Sequence, residues 1–140
     1  MTTWTARCYC GTQHLTFDAA PQVVAFCHCG DCRRWTGAPA PAFAAFDDTQ
    51  LTATPQLPEA LVQVCGVERW NCTVCGSPML ARFGYLPGQF YVPVGVLDNA
   101  ESLSPDLHCH ADNALPWLHI TDDLPRHHNS ARDVLRRTAP

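Results

Sequence analysis

The chain contains no lysine; all nine of its positive side chains are arginine. Lysine Schiff-base chemistry is therefore closed to it, and an anionic ligand has to be met by arginine or by backbone N–H groups. With a net charge of -4 it is a poor neutraliser of phosphates, so nucleic acid is not expected as a partner. No run approaches the ~18 consecutive apolar residues of a membrane helix. The opening residues, Met1 to Arg7, carry no apolar stretch of the kind that a signal peptide needs. Residence in the cytoplasm, away from membranes, is the expectation. Also missing are a Ser-His-Asp arrangement, a glycine-rich phosphate loop and paired carboxylates with a chemical signature. What remains as a reaction centre is thiolate and the metal it would hold.

Nine cysteines stand in 140 residues. In a reducing compartment they read as metal ligands or reactive thiols rather than disulfides, and an odd number cannot close into bridges within one chain. The length suits one domain with a single modest core, and an apolar fraction of 46% suits a folded one.

Short alternating or β-branched segments, bounded by Pro, Gly and Asp, recur about every ten residues. They predict strands over Thr3–Cys8, His14–Phe17, Val23–Cys27, Ala42–Phe46, Leu51–Ala53, Leu61–Trp70, Met79–Phe83, Phe90–Val94 and Leu107–Ala111. Asp31 to Thr36 could make one helical turn, closed by Gly37 in a left-handed cap. Residues 1–125 read as the domain. Residues 126–140, with four arginines and two histidines, read as a helical or frayed tail with Ser130 as a possible N-cap.

Cys72-Thr73-Val74-Cys75-Gly76 is a C-x-x-C-G knuckle, and Cys8-Tyr9-Cys10-Gly11 is a C-x-C-G pair. Each brings two sulfurs to one edge of a tetrahedron, and neither fills four-coordinate zinc by itself. Together Cys8, Cys10, Cys72 and Cys75 make a closed four-thiolate site, whose contribution is folding energy and not catalysis. The alternative is that these cysteines serve only as small buried apolar residues.

Cys27-His28-Cys29-Gly30-Asp31-Cys32 places three thiols within six residues. Cys27, Cys29 and Cys32 can hold a second zinc with a fourth position open to water or ligand, the pattern of catalytic sites. Zinc there would keep an incoming thiol as thiolate and polarise a carbonyl oxygen, which suits making or breaking a carbon–sulfur bond. Two alternatives stand beside this reading. His28 or another residue could close the site into a second structural one, or the trio could be a redox switch.

The pattern resembles the glutathione-dependent formaldehyde-activating enzyme (Gfa) family, the group that includes centromere protein V. The resemblance runs from Arg7 to about Pro125. It is carried by Cys8–Gly11, by Cys27-His28-Cys29-Gly30-Asp31-Cys32-Arg33-Arg34-Trp35-Thr36-Gly37 and by Arg69-Trp70-Asn71-Cys72-Thr73-Val74-Cys75-Gly76-Ser77. Val94-Gly95-Val96-Leu97-Asp98, Leu115-Pro116-Trp117-Leu118 and Asp122-Asp123-Leu124-Pro125 add to it. It implies a mainly β fold, a β-tent of several coiled antiparallel sheets around a structural zinc. It implies two zincs per chain: Cys8, Cys10, Cys72 and Cys75 around the structural ion, and Cys27, Cys29 and Cys32 around the ion of the active site. The implied activity is that of a carbon–sulfur lyase interconverting S-hydroxymethylglutathione with glutathione and formaldehyde. A non-catalytic module of the same fold, binding a thiol or a protein partner, is the rival.

Arg33, Arg34 or Arg82 could meet the carboxylates of glutathione, and Trp35, Phe43 and Trp117 could wall a pocket near the second zinc. Asp31 could orient a ligand or water there. Cys65 and Cys109 fall outside both clusters, with His108-Cys109-His110 expected to alternate between core and solvent along a strand.

Overall fold

Alternation of apolar and polar residues resolves, in the computed structural model, into ten short strands; the structure describes residues 3–136. In chain order the elements are β1 (Trp4–Arg7), β2 (His14–Phe17), β3 (Val23–Cys27), α1 (Gly30–Thr36), β4 (Ala42–Asp47), β5 (Leu51–Thr54), β6 (Val62–Val64), β7 (Val67–Asn71), β8 (Pro78–Phe83), β9 (Gln89–Pro93), β10 (Leu107–Cys109) and α2 (Arg132–Leu135). The protein is mainly β, with two sheets: β1-β2-β5, and a larger one in the order β10-β3-β4-β9-β8-β7-β6. Neighbours run antiparallel throughout except β10, which lies parallel to β3 with Cys109 opposite Cys27. Among the described residues no helix is long and apolar enough to cross a membrane.

Period-two alternation puts the strands of the large sheet to work on both faces. Val24, Ala44, Phe46, Leu80, Phe90 and Val92 face the small sheet and pack against Trp4, Leu15 and Phe17. Phe17 and Phe46 stack at 4.0 Å between ring centroids, both fully buried, each side chain worth roughly 1.5–3 kcal/mol of burial. The alternate residues Val23, Ala25, Phe43, Ala45, Ala81, Phe83 and Tyr91 form a second core on the other face.

The segment expected as one strand over Leu61–Trp70 is a hairpin, since Cys65 and Gly66 both take left-handed backbone (φ 51° and 77°). That two-residue turn matches the twist of the flanking strands. The strand expected over Leu107–Ala111 stops at Cys109, because His110 is left-handed and starts a 3-10 turn over Ala111–Asn113. Beyond Pro125 the chain runs beside β10: His108 N–H donates to Pro125 O, and His127 N–H to His108 O. Ser130 does not cap α2. Ala131 is the cap residue, left-handed at φ 54°, and its N–H is taken by Asn129 Oδ1 at 2.9 Å. Ala131 and Leu135 are buried in the second core. Residues 137–140 of the expected tail lie outside the described residues, as do Met1 and Thr2.

Candidate metal centres

Cys8 and Cys10 follow β1, and Cys72 and Cys75 stand in the turn between β7 and β8. The two knuckles close alike. Cys8 N–H donates to Gln13 O and Gly11 N–H to Cys8 O; Cys72 N–H donates to Ser77 O and Gly76 N–H to Cys72 O. Gly11 and Gly76 sit at φ 81° and 79°, a conformation that a side chain would strain. The four sulfurs lie within 4.8 Å of one another. Cys8 Sγ is 3.6 Å from Cys10 Sγ, and Cys10 Sγ is 3.8 Å from Cys72 Sγ. Tetrahedral zinc with ~2.3 Å bonds to sulfur has edges of about 3.8 Å, so the donor set fits that ion. Backbone N–H groups of Gln13, Val74 and Cys75 point at Cys8 and Cys72 sulfurs at 3.3–3.5 Å. The Ser77 hydroxyl, 3.1 Å from Cys75 Sγ, draws that thiol down to about 5.

Cys27, Cys29 and Cys32 also lie within 4.8 Å of one another, on the opposite face of the large sheet. Cys27 ends β3 with the parity of Val23 and Ala25. Cys29 is the N-cap residue of α1 and its sulfur accepts the Cys32 N–H at 3.3 Å. Gly37, left-handed at φ 75°, closes the helix. Cys27 Sγ donates to Cys29 Sγ at 3.3 Å. That hydrogen bond pulls the Cys29 thiol down to about 2, while the neighbouring sulfurs and burial push Cys27 far up. Cys32, drawn down by Cys27, is carried to about 11 by Cys29 and by burial. Three converging sulfurs fit a divalent soft metal and leave a tetrahedral position unfilled by the trio.

Beside the trio is a cavity of about 230 Å³. Phe43, Phe83, Leu86, Tyr91 and Leu135 form its apolar wall, and Asp31, Arg69, Tyr85, His110 and Ser130 its polar lining. Cys109 also lines it, outside the group of three, its thiol pushed up to about 12 by burial and then by Cys32 and Cys29. Of the aromatics expected as walls, Phe43 lines the cavity, and Trp35 stands behind, stacked on Phe43 at 6.2 Å. Trp117 is elsewhere, 64% exposed.

His28 does not join the trio: its Nε2 is 2.8 Å from His108 Nδ1. His108 is buried too, so His108 and Cys109 alternate between two interiors rather than between core and solvent. Of the arginines singled out, Arg82 pairs with Glu68 at 3.0 Å and lies over Trp70 and Phe90, on the face away from the cavity. Arg33 and Arg34 occupy the last turn of α1 and do not line the cavity. The arginine that does is Arg69, which the sequence offers only as part of the motif around Cys72 and not as an anion contact. Its signal was its place in β7, two residues from Val67 and so on the same face.

The sequence model of one protein family, glutathione-dependent formaldehyde-activating enzyme, matches residues 3–113. No curated protein matches the chain. A crystal structure of a Rhodobacter sphaeroides protein from a structural-genomics programme is similar in fold, at a TM-score of 0.53 and 18% identity, over 87% of this chain and 98% of that one.

Proposed function

Since this chain belongs to the glutathione-dependent formaldehyde-activating enzyme family, we propose that Cys27, Cys29 and Cys32 are its reaction centre. There a thiol such as glutathione and a small aldehyde such as formaldehyde are joined or parted at a carbon–sulfur bond. One observation carries the reading: three sulfurs within 4.8 Å open onto a largely apolar cavity. Zinc, when bound by these three residues, would supply a cation that holds sulfur as thiolate and a Lewis acid for a carbonyl oxygen. The chain's own residues do the rest. Phe43, Phe83 and Tyr91 exclude water, which favours the adduct over competing hydration of the aldehyde. Tyr85, its hydroxyl pushed up to about 12 by burial and then by the cysteine sulfurs, stays protonated and able to donate to an alkoxide. Cys8, Cys10, Cys72 and Cys75 hold the structural zinc, giving two ions per chain.

The test follows formaldehyde and glutathione exchange by NMR with the zinc-loaded chain. Acceleration over the uncatalysed exchange is expected, and Cys29→Ser is expected to remove it while one zinc per chain remains. Unchanged acceleration in that variant would refute the assignment. Thiol binding without acceleration would make the chain a binding module.

A further inference from the structure

Arg69 is a buried cation, 6% exposed, that no carboxylate meets among the described residues. Its Nη1 is buried with no hydrogen-bond partner, and the side chain lines the cavity beside the trio. A guanidinium cannot shed its charge at any pH the protein meets, and an unpaired buried charge is costly. The ring faces of Trp35 and Phe83, 4.7 and 5.5 Å from Cζ, hold the guanidinium plane without offering its N–H groups an oxygen acceptor. Among the described residues no hydrogen bond joins Arg69 to the three sulfurs; its charge draws the Cys32 thiol down through space, which leaves its N–H groups still without an oxygen acceptor.

Resting on the thiol reading of the same site, we propose that Arg69 anchors a carboxylate of the small molecule that occupies this cavity. A flat, two-pronged carboxylate matches the guanidinium fork. The apolar wall formed by Phe43, Phe83 and Tyr91, within about 230 Å³, suits a short carbon skeleton between that carboxylate and the reacting sulfur or carbonyl. The substrate class is therefore a short thiol or short aldehyde that carries a carboxylate, and the anchored end fixes how the reactive end meets the trio.

The experiment measures binding to the zinc-loaded full chain by calorimetry. Its probes are 3-mercaptopropionate, its neutral amide, glyoxylate, the methyl ester of glyoxylate, and plain butyrate. Each acid is expected to bind about tenfold to hundredfold more tightly than its neutral counterpart. Arg69→Gln is expected to abolish that preference with zinc still at two per chain, and Arg69→Lys to keep part of it. A preference confined to mercaptopropionate assigns the carboxylate to the thiol; one confined to glyoxylate assigns it to the aldehyde. If Arg69→Gln loses zinc or fails to fold, the acid-to-amide comparison in the natural chain and in Arg69→Lys decides. Acid and neutral probes binding equally to the natural chain overturns the anchor while leaving thiol chemistry standing. Arg69-dependent binding of butyrate, with no thiol bound, upholds the anchor and removes the thiol reading.

Discussion

His108, 1% exposed, sits between two polar partners. Its Nε2 is 2.9 Å from Asp122 Oδ2 and its Nδ1 is 2.8 Å from His28 Nε2, with the Phe26 ring stacked at 4.8 Å. A carboxylate only accepts, so Nε2–H donates to Asp122, and with a neutral ring Nδ1 accepts from His28. Arg126 holds the other Asp122 oxygen at 3.0 Å. The row of side chains thereby ties β3, β10 and the segment leading to Pro125 together, on the face away from the cavity. His108→Phe keeps the stacking and much of the volume but strands the His28 N–H. We expect it to lower the denaturation midpoint at saturating zinc by the equivalent of about 1–3 kcal/mol. Hydrogen bonding from His108 holds the Asp122 carboxyl below its ordinary value. Its stabilising share is present above the unfolded value of about 4 and is lost only as the pH falls through the lowered one. The deficit of the variant is thus expected to persist from about pH 8 down to about pH 5; an unchanged midpoint at pH 7 would show that the row does not hold these strands.

At the scale of elements, what was legible was local. Gly37, closing the turn from Asp31 to Thr36, announces α1, which begins one residue earlier at Gly30. Short apolar or alternating runs between turn residues place β2 and β3 at the bounds observed, because both signals span fewer than ten residues. The β6–β7 hairpin was not legible: Val62, Val64 and Val67 read as continuous strand, and cysteine is no turn-former. Arg69 was only half legible: its spacing from Val67 gives the face but not the burial. An arginine between Glu68 and Trp70 looks like a surface residue until the sheet order puts β7 inside, paired on both sides. The parallel β10 depends on β3 some eighty residues away, and the C-terminal return beside it depends on β10 being there first, which no window reveals. The hairpin carries its own test. Cys65 is exposed and outside both clusters, and holds φ 51°, a region where asparagine is tolerated far better than cysteine. Cys65→Asn creates the Asn-Gly pair preferred in such turns. It is expected to raise stability by about 0.5–1 kcal/mol in chemical denaturation, with zinc content unchanged; a loss of zinc would instead make Cys65 a ligand.

Taken whole, the molecule divides its two cysteine clusters between the two faces of one sheet. The four-thiol cluster belongs to the core between the sheets, where Cys8 and Cys72 are both buried. It joins the end of β1 to the β7–β8 turn, bringing Cys10 against Cys72 across 62 residues of chain. The trio draws its sulfurs from a single short stretch at the end of β3 and the start of α1, so it closes no long loop. Zinc held by four such ligands contributes an apparent ~10–16 kcal/mol in small domains, as large as the whole ~5–15 kcal/mol margin of a typical fold. Breaking the first cluster should therefore unfold the chain, and breaking the second should not. Cys72→Ser is expected to lose the near-UV circular dichroism of buried Trp4 and Trp70 and to retain less than one zinc per chain. Cys29→Ser, whose hydroxyl still caps α1, is expected to keep that spectrum, a cooperative transition and one zinc. A native spectrum in Cys72→Ser would mean that packing between the sheets suffices without the metal. Collapse of Cys29→Ser would mean that the cavity face, too, is held together by its ion.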